Sequence, residues 1–69
     1  MAVVKVIDLV GDSQESFEDA VKEAVRQAAK TVRHISGVEV VNFTGNVNEQ
    51  GEIVEFKANV KVAFRVEEE

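Results

Sequence analysis

Ile53-Val54-Glu55-Phe56-Lys57-Ala58-Asn59-Val60-Lys61-Val62-Ala63-Phe64-Arg65-Val66 is the stretch that decides the fold. Its even positions, from Val54 to Val66, are all apolar, while Glu55, Lys57, Asn59, Lys61, Ala63 and Arg65 occupy the odd positions between them. A period of two over such a run describes one strand with a single buried face. At about 3.3 Å per residue it reaches on the order of 46 Å. A compact domain of 69 residues has a radius of gyration near 11 Å and a diameter of roughly 30 Å. The strand outruns its own domain. Part of its apolar face therefore calls for another copy of the chain, or for strong curvature around a partner element.

Upstream, Val3 to Val10 is rich in β-branched residues and reads as a first strand ended by Gly11-Asp12. Asp12, with Glu15 three residues on, has the spacing of a capping box, and Ser13 offers an equivalent hydroxyl. A helix of about twenty residues follows. Phe17, Ala20, Val21, Ala24, Val25, Ala28, Val32 and Ile35 recur at steps of three and four, which gives one apolar stripe. Glu18, Lys22, Glu23, Arg26, Lys30 and Arg33 form the wet face, with acids early and bases late as the helix macrodipole favours. Glu18 and Lys22 make a favourable i,i+4 pair. Gly37 is the expected helix stop, Val38 to about Val47 the second strand, and Asn48-Glu49-Gln50-Gly51 a turn into the long third strand. The order is β-α-β-β. A single helix covers one face of a three-stranded antiparallel sheet, the face expected to carry Phe56, Val60 and Phe64.

Composition narrows the function classes. The chain has 45% hydrophobic residues and no cysteine, so a single small domain over residues 1–69 has no disulfide staple, and oligomerisation is the remaining common one. Met1 to Val10 carries Lys5 and Asp8 and lacks the form of a signal peptide or a membrane span. A cytoplasmic location without membrane contact is the expectation. A formal charge of −5, with Glu67-Glu68-Glu69 at the end, argues against nucleic-acid binding and marks that run as a solvated tail. Catalysis is not expected. No thiol nucleophile, nucleophile-elbow serine or glycine-rich phosphate loop is present, and the lone histidine has no evident partner for acid-base work.

The chain resembles the dodecins, small β-α-β-β proteins that form hollow homododecamers. The likeness rests on Lys5-Val6-Ile7-Asp8-Leu9-Val10-Gly11 with Ser13 and the acids after it, Ala20 to Ala24, Thr31-Val32-Arg33-His34-Ile35, and Val62-Ala63-Phe64-Arg65-Val66. It implies an α+β fold with the antiparallel sheet wrapped around the helix. It also implies a shell that stores a flavin such as FMN, riboflavin or FAD, or a related flat heterocycle. Flavin-binding dodecins carry a tryptophan shortly after the helix-ending histidine and a glutamine in the third strand. Here those positions fall on Gly37 and Lys57, and the chain has no Trp or Tyr. The resemblance thus places a ligand near Ser36, Gly37, Val38, Phe43 and Lys57 with weakened stacking. It also extends to the tryptophan-lacking branch that includes calcium dodecin, which implies a calcium-binding or purely structural assembly as the alternative. Calcium needs six to eight oxygen ligands, and no loop here concentrates them. Asp12 and Glu15 could contribute to a site completed across subunits.

The remaining single residues carry two readings each. His34 is expected in the last helical turn, complementing the helix C-terminus, with ligand contact or proton transfer as its other role. Asp8 reads as an intersubunit salt bridge or an exposed edge residue, and otherwise as a buried functional acid. Phe17, Phe56 and Phe64 are core anchors by periodicity. Phe43 shares a strand face with Glu39, Val41 and Gly45 under strict alternation, where interface packing comes first and ligand stacking second.

Overall fold

The computed structural model describes residues 3–66. Its elements are β1 (Val3–Ser13), α1 (Phe17–Ala29), β2 (Ile35–Val47) and β3 (Ile53–Val66), the order and the long third strand read from the sequence. β3 lies at the centre of an antiparallel sheet of order β1-β3-β2. The acidic run Glu67-Glu68-Glu69, expected as a solvated tail, lies outside the described residues.

Alternation sorts β3 into two faces. Ala58, Val60 and Val62 are buried beneath Ala20, Ala24 and Ala28 of α1. Ile7, Leu9, Val21, Val25 and Ile35 close the sides of this core. Phe56 and Phe64 are half-buried on the same face. Alanine at every buried helix position removes side-chain bulk, so the helix backbone comes close to the sheet. Gly11 completes that close approach. A Cβ there would lie 1.9 Å from the carbonyl oxygen of Ala20, so Gly11 is a packing glycine inside β1, not its end. The strand runs on to Ser13, which is buried and opposite Phe56.

The helix is capped three residues beyond Ser13. Ser16 is the N-cap, its Oγ accepting from the Asp19 backbone N–H at 2.9 Å. Ser13 Oγ accepts from the Glu15 N–H at 2.9 Å and donates to Asp19 Oδ2 at 2.7 Å. Asp12 takes no part in the cap: the turn at 14–16 separates strand from helix and leaves Ser13 to order it. Ser16→Ala is expected to lower stability by about 1 kcal/mol, read as a shift in the urea midpoint with unchanged slope.

At its other end α1 stops at Ala29, with Lys30 as C-cap. The Thr31 and Val32 N–H groups bond back to the Ala28 carbonyl. Gly37 does not end the helix. The left-handed residue is His34, at φ 65°, which stands in the connection and not in a last helical turn. Val32 and Ile35 continue the helical spacing by coincidence, and Ile35 already pairs with Phe64 in β2.

The hairpin turn forms as read, with Gly51 at φ 81°. The Asn48 side-chain carbonyl accepts from Gln50 and Glu52 N–H, both at 3.0 Å. β2 departs from strict alternation. Register shifts between Ile35 and Gly37 and between Val40 and Asn42 leave Ser36 and Val41 as bulged residues. The second bulge reverses parity, so Phe43 opposes Ala58 on the helix side and does not share a face with Glu39. Phe17 contacts Phe43 at 5.1 Å and Phe56 edge-on at 4.8 Å between ring centroids.

The chain measures 55 × 20 × 13 Å with a radius of gyration of 14.3 Å, well above the roughly 11 Å of a compact domain of this length. It exposes 5072 Å², where about 4,300 Å² is usual for its mass. Large apolar side chains are exposed along both edge strands. Val4, Val6 and Val10 of β1 and Val38, Val40, Val41, Phe43 and Val47 of β2 are all exposed.

Candidate functional site

Of the residues that sequence reasoning selected, the sheet face away from the helix carries Gly37 and Lys57. Register arranges this face in rows across β1, β3 and β2: Val6, Ala63, Gly37; Asp8, Lys61, Glu39; Val10, Asn59, Asn42; and Asp12, Lys57, Thr44. Gly37 lies in a shelf of small and apolar residues, and a Cβ built on it meets nothing within 4 Å. Ser36 bulges beside it, and Val38, exposed, turns to the helix side opposite Val62.

Lys57 is half-buried six residues along β3 from Ala63, the partner of Gly37, a separation of roughly 20 Å along a strand. One chain therefore does not bring Gly37 and Lys57 together. Phe43 is packed on Phe17 on the opposite face. Ser36, Gly37 and Val38 form one group, with Lys57 and Phe43 each apart from it.

Between the two ends lies a cavity of about 360 Å³ framed by Val10, Val41, Asn42, Asn59 and the Asp8–Lys61 pair. Lys61 Nζ donates to Asp8 Oδ1 at 3.1 Å, so Asp8 makes a cross-strand bridge within its own chain. Both groups are solvent-exposed, which limits that bridge to less than about 1 kcal/mol. Asn59 Nδ2 donates to Asn42 Oδ1 across the next row. The polar groups of this cavity satisfy one another, which makes it a surface ladder.

Among the described residues, no three of His, Cys, Asp and Glu gather closely enough to hold a metal ion. Nor is any described helix long and apolar enough to cross a membrane. The sequence reading missed one cluster, in which Lys5, Arg33, His34 and Arg65 surround a pocket beyond the end of α1. Arg33 belongs to the wet helix face only if the helix runs on past it, whereas α1 ends at Ala29. Lys5 on the same strand parity as Ile7 was the available signal, since it sets a cation on the helix side past the last buried alanine.

A small β-α-β-β protein, with its sheet wrapped on one helix and both edges uncovered, is the class these features define. The family model described as Dodecin matches residues 3–67. Dodecin of Thermus thermophilus is 39% identical over 66 residues, covering 96% of this chain and 94% of the relative. Calcium dodecin of Mycobacterium tuberculosis is 35% identical over 66 residues, covering 96% and 92%. A crystal structure of a Thermus thermophilus protein matches with a TM-score of 0.93 at 38% identity over the whole of both chains. That of the Mycobacterium tuberculosis calcium dodecin, described as having a calcium-binding site, matches at 0.80 with 34% identity over 94% of this chain and 91% of the other. The chain belongs to the dodecin family.

Proposed function

We propose that copies of this chain assemble through their sheet edges into a dodecin-type homododecameric shell. The shell binds and stores a small flat ligand, a flavin or a related heterocycle, at contacts between copies. One observation carries the reading: the open shelf at Gly37 and the cation at Lys57 stand roughly 20 Å apart in one chain, so only a second copy can complete a site from both. Ser36 and Gly37, with the Val38 backbone beside them, supply the floor and Lys57 of a neighbouring copy the polar contact. Phe43 keeps a packing role. The role is binding, not catalysis.

Cation uptake is the second reading, and the likeness to calcium dodecin favours it. Because no metal cluster exists among the described residues of one chain, its carboxylates would come from two copies, with Asp12 and Glu15 exposed at the helix start.

Colour and size test the first reading together. The chain has no Trp, Tyr or Cys, so near-ultraviolet absorbance that survives dialysis reports a bound heterocycle. Sedimentation should find a large assembly in place of the 7.6 kDa chain. A colourless assembly that fails to quench added riboflavin or FMN would leave only the second reading, and calcium titration would then decide it. Gly37→Trp sharpens the test. The new ring meets open space and an unstrained backbone, and stacking on a heterocycle contributes on the order of 1–3 kcal/mol. Flavin affinity should therefore rise tenfold or more. A well-folded Gly37→Trp assembly with no gain would place the ligand elsewhere.

A further inference from the structure

We propose that Lys57 sets the charge of the ligand, so that the site between copies takes a flat heterocycle carrying negative charge on its ring edge in preference to a neutral ring. The selection rests on the ring site proposed above, and the two can fail separately.

The outer face of β3 sets Lys57 apart from its neighbours. From Glu55 to Lys61 the other polar side chains of this face are satisfied from the flanking strands: Asn46 Nδ2 donates to Glu55 Oε1, Asn59 Nδ2 to Asn42 Oδ1, and Lys61 Nζ to Asp8 Oδ1. Lys57 is half-buried and flanked in register by Asp12 and Thr44, yet among the described residues its ammonium has no hydrogen-bond or ion-pair partner. A second Asp–Lys pair on the same two strands provides the comparison. Asp8 faces Lys61, and Asp12 faces Lys57 four residues along each strand in unbroken register, so both pairs occupy equivalent positions of the antiparallel ladder. The first closes at 3.1 Å and the second stays open. Lys57 is left with a charge that one chain does not neutralise.

The chemistry of an ammonium group fixes what can complete it. It has three N–H donors and no acceptor. A neutral imide-type edge, in which an N–H lies between two carbonyls, turns a donor towards Lys57 that nothing on the lysine can receive. An ionised edge presents acceptors alone, and a hydrogen bond between two charged groups is shorter and stronger than one to a neutral acceptor. Cover from a second copy lowers the local dielectric and strengthens that attraction. Asp12 and Glu55, on the same face, oppose it. Glu55 is held by Asn46, and Asp12 is exposed, where water and salt screen it. The net charge of −5 is spread over a molecule 55 Å long, mostly beyond the screening length of about 8 Å. The cation beside the ring therefore decides.

Calorimetry on the intact assembly at mildly acidic pH, with urate and xanthine as probes, tests the selection. These purines differ by one oxygen, and under such conditions urate is a ring anion while xanthine is neutral. Urate should bind roughly tenfold more tightly or better, as a charge-assisted contact allows. Lys57→Gln should abolish that preference, and Lys57→Arg, which keeps the charge, should retain it. Lys61→Gln changes the net charge by the same amount but removes a lysine already bridged to Asp8, so the preference should persist. Equal affinity for both purines, a preference that survives Lys57→Gln, or binding of riboflavin without urate would overturn the proposal and leave the ring site standing. A Lys57→Gln chain that no longer assembles would put Lys57 in an ion pair between copies and overturn it as well. If neither purine nor riboflavin binds to the parent or to Gly37→Trp, the ring site itself falls, and the selection with it.

Discussion

Gly11→Ala is expected to destabilise the protein by about 3 kcal/mol or more, a loss out of scale with the addition of one methyl group. The new Cβ would stand 1.9 Å from the Ala20 oxygen, 2.9 Å from the Ala20 carbonyl carbon and 3.0 Å from the Ala24 Cβ. Two of these are backbone atoms, so no rotamer change relieves the clash. Either α1 lifts off the sheet or β1 bends away from β3. Lifting the helix opens the contact of Ala20, Ala24 and Ala28 with Ala58, Val60 and Val62. Close-packed interiors lose much of their dispersion energy over gaps of an ångström or less.

Two other glycines serve as internal controls. At Gly45 the nearest atom to a built Cβ is Ile53 Cγ2 at 3.3 Å, and at Gly37 there is none within 4 Å. Gly37→Ala should therefore lie within about 0.5 kcal/mol of the parent, as surface changes do. Urea denaturation at one fixed protein concentration, since assembly makes stability concentration-dependent, compares the three. An unchanged midpoint for Gly11→Ala would mean that the helix does not lie on β1 as closely as described.

The same contact explains what could and could not be read in advance. Val54 to Val66 alternates without a break, so the central strand, its buried face and the hairpin at Gly51 followed from pattern alone. Ala20, Ala24 and Ala28 gave the helix face for the same reason. Gly11 misled because a glycine between a strand and a helix reads as a break, whereas its missing side chain is needed by the backbone of a helix that comes later in the chain. That is a tertiary fact with no local signature. The helix end was misplaced because Val32 and Ile35 keep the helical spacing while the positive φ falls on His34, not on a glycine. Phe43 lies on the face opposite to the one strict alternation predicts because a bulge at Val41 shifts parity by one, and a single inserted residue leaves no mark in composition. The candidate site is legible only in part: Gly37 and Lys57 can be named through the family resemblance, but the distance between them belongs to the register of a whole strand.

Val62→Asp separates the core from the surface of the assembly. Val62 is 0% exposed and lies between Ile7 of β1 and Val38 of β2 in register, on the central strand and under the helix. A carboxylate there has no partner and no path to water. It must stay ionised in an apolar site or take up a proton and remain an unsatisfied polar group. Either state costs several kcal/mol, comparable with the whole stability of a domain this small. The expected result is a chain without native circular dichroism, and hence without assembly. Val6→Asp places the same charge on the outer row of β1, at a residue 54% exposed in the single chain. There the carboxylate remains hydrated in a lone subunit, and only a neighbouring copy laid over the row would strip its water. Val6→Asp should therefore keep native circular dichroism while sedimenting as a smaller species, and Val62→Asp should lose both together. Full-size assembly from Val6→Asp would show that the apolar row at Gly37 and Ala63 faces solvent, and the ligand site proposed between copies would lose its second wall.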